Sequence, residues 1–356
     1  MFRTLPFRIF VEMDIEEKYM QRCLDIASLG GAAVFPNPMV GCVVVAQGKI
    51  IGEGYHKKHG ESHAEVIAIE QVQDKELLNG ATLYVSLEPC FHHGKTPPCV
   101  DLILRSGISR VVIGCMDPNP KVAGKSIQKL QTMGREVISG VLEQEARELN
   151  KRFFTYQLKQ RPYVVLKWAQ SKDGFMDRNR EKEDLGIHWI SQPSTQALVH
   201  TWRAQEHAIL IGRRTAAIDN PSLTVRAISG KNPIRVVIDS QLQLENQNSL
   251  FLGPEETIIV NKKKSAVEKH VTYLKLPDIN VKSILNALYQ QNISSVLIEG
   301  GSRTLHHFIF EHLWDEARVI VGTDYLHDGL KAPVLPVAPS HSYSFGKDTI
   351  TEYKRL

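Results

Sequence analysis

The stretch Glu88-Pro89-Cys90-Phe91-His92-His93-Gly94-Lys95-Thr96-Pro97-Pro98-Cys99, read with His63-Ala64-Glu65 upstream, supplies one imidazole, two thiolates and a spare carboxylate. A His-x-Glu pair followed by Pro-Cys and a second cysteine is the donor pattern of a zinc nucleobase deaminase. A hydrolytic zinc site takes three protein ligands and leaves a fourth position for water, whose acidity the metal raises. His63, Cys90 and Cys99 are the expected ligands. Glu65, two residues past the histidine, is poorly placed to be a fourth ligand. It is well placed to take a proton from the water and deliver it to the departing ammonia. A closed structural site would need another Cys or His, and the local candidates His92 and His93 fall in a Gly- and Pro-rich loop. Eight residues separate the two cysteines here, against two in the common deaminase pattern.

Outward from that stretch, 356 residues suit two domains, each long enough to bury its own core. With 42% hydrophobic and 23% charged residues the composition is that of an ordinary globular protein, which argues against a disordered or fibrous chain. No apolar run approaches the roughly 18 residues that cross a bilayer, so no membrane partner is expected. The net charge of +4 is slight and suits a phosphorylated metabolite as well as a nucleic acid. Five cysteines, an odd number without the dense spacing of a secreted disulfide framework, predict a reducing, cytoplasmic setting. Of these, Cys23, Cys42 and Cys115 lie in apolar surroundings and read as core thiols. The opening MFRTLPFRIFVE is short, interrupted by charge and without a small-residue cleavage site. It reads as an extension, with Met13 an alternative start.

Periodicity and turn signals predict a helix over 20–27, a hairpin of strands over 40–45 and 49–54, and a helix over 63–72. Strands follow at 81–87, 109–114 and 136–139, with helices at 98–105, 125–133 and 142–155, the alternation of a layered α/β domain. The histidine and both cysteines are thereby expected at the starts of two helices. The pattern restarts near 158–162. Apolar strands at 163–169, 208–211, 234–238, 257–260, 295–298 and 317–321 then alternate with helices at 193–203, 281–290 and 303–310, which predicts a second α/β sheet.

The insert His92-His93-Gly94-Lys95-Thr96-Pro97-Pro98, with Pro36-Asn37-Pro38-Met39-Val40-Gly41 and Asp117-Pro118-Asn119, resembles the bifunctional deaminase-reductase family of riboflavin biosynthesis. The second half continues the resemblance. It carries Arg161-Pro162-Tyr163, Leu166-Lys167, Ser171, Asp173-Gly174, Trp189-Ile190-Ser191, Arg203-Ala204-Gln205, Gly212 and Thr215. Asp219-Asn220-Pro221-Ser222-Leu223-Thr224-Val225-Arg226, Val237-Ile238-Asp239-Ser240 and Glu299-Gly300-Gly301 follow in order.

The resemblance implies a cytidine-deaminase-like three-layer α/β domain over 13–157 and a dihydrofolate-reductase-like α/β domain over 162–356. It implies zinc and NADPH as cofactors, a small phosphoribosyl pyrimidine as substrate in place of nucleic acid, and a homo-oligomer, dimer or tetramer. In the first domain Asn37, His56, His92, Lys95, Asp117 and Asn119 would contact the pyrimidine and its phosphoribosyl arm; Lys95 suits phosphate as a point charge. In the second, Ala169, Trp189, Thr215, Asp219, Ser240 and the run Gly301, Ser302, Arg303, Thr304, Leu305, His306, His307 would face the cofactor. Lys167, Ile187, Arg203, Leu223, Arg226 and Glu299 would face the substrate, with Arg203 and Arg226 as a phosphate clamp.

No G-x-G-x-x-G follows a strand, so a Rossmann dinucleotide site is not expected. The Glu-Gly-Gly turn would instead bring backbone N–H groups to cofactor phosphates. The chain departs from the family at Ile187, where a small hydroxyl residue is common, in the charged stretch 177–184, and over 322–336. The implied activity is hydrolytic deamination of a diaminopyrimidinone ribosylamine phosphate followed by reduction of its ribosyl group. Two other readings remain: a deaminase with a silent C-terminal scaffold, and a tRNA or cytidine deaminase with an appended domain. The second of these predicts a Cys-x-x-Cys closure and a basic, aromatic-interleaved surface, and neither is visible.

Overall fold

The computed structural model describes residues 13–91, 97–119, 122–181 and 184–355. The reading of the first dozen residues, and the roles given to His92 and Lys95, lie outside these. The chain divides into two compact units at Phe154/Thr155.

The first unit begins with α1 (Ile15–Ser28), longer than the periodicity predicted because Asp14 and Glu17 form a capping box. Asp14 accepts from the Glu17 N–H at 2.8 Å, a cap worth about 1 kcal/mol. Strands β1 (Gly41–Ala46) and β2 (Lys49–Tyr55) form the expected hairpin, and α2 (Ala64–Gln71) follows. Next come β3 (Thr82–Leu87), α3 (Cys99–Arg105), β4 (Arg110–Cys115), α4 (Lys125–Thr132) and β5 (Glu136–Ser139). Among the described residues they make a five-stranded sheet in the order β2-β1-β3-β4-β5, with β3, β4 and β5 parallel.

Alternation along the strands builds three layers. Val43, Val45, Tyr84 and Val112 pack with Met20 and Cys23 of α1, while Cys42, Val44, Leu83, Val85, Val111 and Ile113 face Ala68, Ile103 and Leu130 of α2, α3 and α4. Helix α2 lies directly on the hairpin. A Cβ at Gly52 would sit 2.3 Å from the Ala68 carbonyl oxygen, and one at Gly54 2.7 Å from the Ala68 nitrogen. Only glycine allows that approach.

The single helix expected over 142–155 is two, α5 (Glu143–Leu149) and α6 (Lys151–Lys159). Between them Asn150 is buried and turns its amide toward the loop that precedes β1. It accepts from the Met39 N–H at 2.8 Å and donates to the Met39 carbonyl at 2.9 Å.

The second unit opens on β6 (Tyr163–Gln170), β7 (Phe175–Asp177), α7 (Pro193–Ala204), β8 (Ala208–Gly212), α8 (Arg213–Asp219) and β9 (Ile234–Ile238). It continues through β10 (Thr257–Asn261), β11 (Ala266–Glu268), β12 (Val271–Lys275), α9 (Val281–Gln290), β13 (Ser295–Ile298) and α10 (Ser302–Phe310). It closes with β14 (Glu316–Val321), β15 (Leu330–Lys331), β16 (His341–Phe345) and β17 (Asp348–Lys354).

Among the described residues the main sheet runs β11-β12-β10-β9-β8-β13-β6-β14-β17-β16, parallel from β12 through β14 and antiparallel at both edges. Its central strands are buried on both faces, which is why they read as continuous apolar runs. One face packs against α9 and α10, and the other against α7 and α8. The start of α7 is capped from the far end of the chain: Asp348 Oδ2 accepts from the Gln192 N–H at 2.8 Å and the Thr195 hydroxyl at 2.6 Å.

Candidate active sites

In the first unit His63 is the N-cap of α2 and Cys99 the first residue of α3. Cys90 lies in the loop after β3, not at a helix start as expected. It is joined to α3 because the Cys99 backbone N–H donates to its sulfur at 3.2 Å. The Nδ1 of His63 is 3.2 Å from Cys99 Sγ and 3.6 Å from Cys90 Sγ. Among the described residues these three form the group able to hold a metal, their donor atoms all within 4.8 Å of one another.

The donor chemistry fits zinc. Cys90 is pulled down to about 4, by the Cys99 thiol first and then by the His63 imidazole, while Cys99 is pushed up by the Cys90 sulfur beside it. Two such thiols ionise together only with a cation between them. Glu65, in the first turn of α2, is buried, and burial pushes its carboxyl up. That makes it a better proton carrier than an exposed glutamate.

Around this centre the structure gathers Asn37 and His56. The Asn37 Nδ2 is 3.2 Å from His56 Nε2, and the His56 ring stands edge-on to His63 with centroids 5.7 Å apart. His56 Nδ1 is 3.1 Å from the Ser62 carbonyl, and burial lowers the imidazole. Asp117 accepts from the Asn119 N–H at 2.8 Å. Glu88 accepts from the backbone N–H groups of Asp117 (3.3 Å), Gly124 (2.9 Å) and Ser126 (3.1 Å). Glu88 was part of the motif but had no assigned role. A carboxylate that collects three distant N–H groups carries no local sequence signal.

In the second unit the cofactor candidates collect at the carboxyl ends of the parallel strands, where ligands of open α/β sheets bind. Ala169 is near the end of β6, Ser240 follows β9, Thr215 opens α8 after β8, and Gly301 caps α10 after β13. Backbone approaches there are too close for side chains. A Cβ at Gly300 would lie 2.9 Å from the Gly212 nitrogen, and one at Gly212 2.9 Å from Thr304 Oγ1. The Gly301 N–H donates to Thr215 Oγ1 at 3.0 Å, and α10 has no side-chain N-cap bond. Together these make a cradle of glycine backbone and free helix N–H groups, which fits a dinucleotide phosphate. Trp189 is exposed nearby in sequence to Ile187, which is exposed too. Within α10, Arg303, His306 and His307 are exposed, Ser302 bonds His306, and Leu305 is fully buried in the core.

The substrate candidates form a charge cluster. Arg203 grips Glu299 with two bonds, Nε to Oε1 at 2.9 Å and Nη2 to Oε2 at 2.7 Å, and Lys167 Nζ is 3.9 Å from Oε2. Burial opposes ionisation of Glu299, but Arg203 and Lys167 overcome it and hold the carboxyl at about 2. The guanidinium of Arg203 bonds Glu299 and also donates to the Thr224 carbonyl at 3.3 Å. Arg226 is the exposed one, bonded to the Ser222 and Thr224 hydroxyls. Leu223 turns its side chain into the core at a positive φ of 56°, so what it can offer a ligand is backbone. His200 was not anticipated. It is buried beside this cluster, and its Nδ1 accepts from the Arg226 N–H at 2.9 Å, which makes it the neutral Nε2–H tautomer. Burial and then Arg203 lower it.

The cytidine and deoxycytidylate deaminase zinc-binding region matches residues 13–115, and the RibD C-terminal domain matches 162–326. A riboflavin biosynthesis protein RibD of Aquifex aeolicus is 40% identical over 96% of this chain and 99% of its own length. The chain belongs to the RibD family. The Escherichia coli RibD is 37% identical over 87% of this chain and 88% of its own. A Thermotoga maritima structure, described as a diaminohydroxyphosphoribosylaminopyrimidine deaminase/5-amino-6-(5-phosphoribosylamino)uracil reductase, superposes with a TM-score of 0.87 at 38% identity. It covers 96% of this chain and 99% of its own. RibD proteins join a zinc deaminase domain to an NADPH-dependent reductase domain, and the two units described above are those domains. No helix among the described residues is long and apolar enough to cross a membrane.

Proposed function

We propose that this chain carries out two consecutive steps of riboflavin synthesis. The first unit removes the 2-amino group of 2,5-diamino-6-(5-phosphoribosylamino)pyrimidin-4(3H)-one, and the second reduces the ribosyl group of the product to ribityl with NADPH. The observation that carries the reading is the presence, on one chain, of the His63, Cys90 and Cys99 triad beside buried Glu65 and of the Lys167, Arg203 and Glu299 cluster beside a glycine cradle.

His63, Cys90 and Cys99 would hold zinc, which when bound would supply water acidic enough to attack near neutral pH. Glu65 takes the proton of the attacking water and hands it to the leaving ammonia. Asn37, His56, Asp117 and Asn119 orient the pyrimidine, and the resemblance adds His92 and Lys95 as contacts to the substrate. In the second unit NADPH supplies the hydride, and the protein's share is positioning. Backbone at Gly300 and Gly301 with the first turn of α10 receives cofactor phosphate, while Ala169, Trp189, Thr215, Asp219 and Ser240 complete its surroundings. Glu299, oriented by Arg203, and Lys167 meet the ribosyl end, with Arg226 toward phosphate. On this reading the protein is a homo-oligomer, and it is cytoplasmic, in keeping with five unpaired cysteines.

Separate assays of ammonia release and NADPH oxidation on the pyrimidine substrate test it. Glu65→Gln should keep zinc bound, by metal analysis, and lower ammonia release by at least about 100-fold. NADPH oxidation on the deaminated substrate should be unchanged. Ammonia release at the native rate would remove Glu65 from the mechanism, and a chain that never oxidises NADPH would leave the second unit a scaffold.

A further inference from the structure

The charged segment after β7 is used by neither activity as described, yet it contains one of the least exposed arginines of the second unit. Arg180 has 7% of its side chain exposed. Its Nε donates to Asp177 Oδ2 at 2.6 Å, and its Nη1 donates to the carbonyls of Gly186 at 2.7 Å and Asp184 at 3.3 Å. The remaining nitrogen, Nη2, is 3.8 Å from Asp219 Oδ1. A second tether holds the segment to the same place: the Gly186 N–H donates to the Ile218 carbonyl, one residue before Asp219, at 2.8 Å. Two of the three guanidinium nitrogens thus fix the group to its own loop, and the third is aimed at Asp219.

Asp219 is the last residue of α8, where helix carbonyls concentrate negative potential. Burial pushes its carboxyl up to about 6, Arg180 opposes that rise, and Asp177 adds to it. Among the described residues Arg180 and Asp177 are the charged groups acting on Asp219. Those acting on Arg180 are Asp177, Asp219 and Asp184, and His188 Nδ1 is 3.4 Å from Asp177 Oδ1.

We propose that Arg180 is a positioning residue of the reductase, fixing the orientation and the charge of Asp219 where that side chain faces the cofactor. The inference rests on the place given to Asp219 in the proposed cofactor site. Arg180 touches neither cofactor nor substrate.

The test uses full-length protein with Arg180→Met, Arg180→Lys and Asp219→Asn. Reductase kcat/KM and the NADPH dissociation constant, by fluorescence titration, are followed from about pH 5 to about pH 9. Ammonia release by each preparation reports a folded first unit, and the urea unfolding transition of the second unit reports that the fold around Arg180 is intact. The native reductase should lose activity on the acid side as Asp219 takes up its proton. Without Arg180 the protonated form is favoured, so Arg180→Met should move that limb upward by about one pH unit, a tenfold rise in proton affinity. It should also weaken NADPH several-fold near neutrality. Arg180→Lys should bring the limb back toward its native position, a rescue that a merely structural role would not produce. Asp219→Asn should remove the limb. A limb that vanishes in Asp219→Asn but stays put in Arg180→Met overturns the inference alone. Native NADPH affinity and an intact limb in Asp219→Asn overturn the assignment of Asp219, and this inference with it. If Arg180→Met does not fold, Arg180→Gln is read in the same way.

Discussion

Glu299 shows how much one buried charge depends on its company. With 8% of its side chain exposed, it is a carboxylate partner shared by Arg203 and Lys167. Glu299→Gln leaves two cations buried without their counter-charge, a change expected to cost about 3 kcal/mol. The pH dependence has a definite sign. The carboxyl is lowered from 4.5 to about 2 in the fold, so its contribution is whole above pH 4.5 and drains away as pH falls toward 2. Urea unfolding of the second unit should therefore show a smaller acid-induced loss over that window in Glu299→Gln than in the native chain. An equal loss in both would separate the acid lability from Glu299. The grouping of His63, Cys90 and Cys99 was legible in the sequence because residue type and spacing declare it. The pairing of Arg203 with Glu299 was not legible, since nothing local announces a partner 96 positions away. The same limit applies to Leu223 and Leu305, whose positions in motifs say nothing of side chains that turn into the core.

Elements were read best where burial on both faces wrote a mostly apolar run, as in β6, β8, β9, β10 and β13. The outer strands β11, β12, β17 and β16, at or next to the edges of the sheet, were not read, because their partly exposed side chains leave no such run. The break between α5 and α6 escaped for another reason. Asn150 interrupts a helical pattern in order to bond both polar groups of Met39, two residues beyond Asn37. It acts as a clasp on the loop that carries a substrate candidate. Asn150→Ala leaves a Met39 N–H and carbonyl unpaired, at about 2 kcal/mol. The deaminase KM should rise several-fold with zinc content unchanged. Unaltered KM together with unaltered stability would show the clasp to be idle.

At the scale of the whole chain, the hydrophobic clusters divide without sharing members: Cys42, Val85 and Ile113 belong to one unit, Leu166, Val296 and Trp314 to the other. Two cores predict two unfolding transitions. Chelation of zinc should lower only the one that abolishes ammonia release, because binding energy stabilises only the unit that holds the metal. A single transition, or an equal shift of both, would contradict independent cores.

The order of strands also sets a timetable. In the first unit β1 meets β2 and then β3, so its sheet assembles from neighbours in the chain. In the second, β6 is among the first elements made, yet its sheet partners are β13 and β14. A ribosome must add well over a hundred residues before Tyr163–Gln170 finds a neighbour for either side. Until then, an apolar strand with two open edges waits in the nascent chain, so the deaminase can be finished while its companion is still being translated.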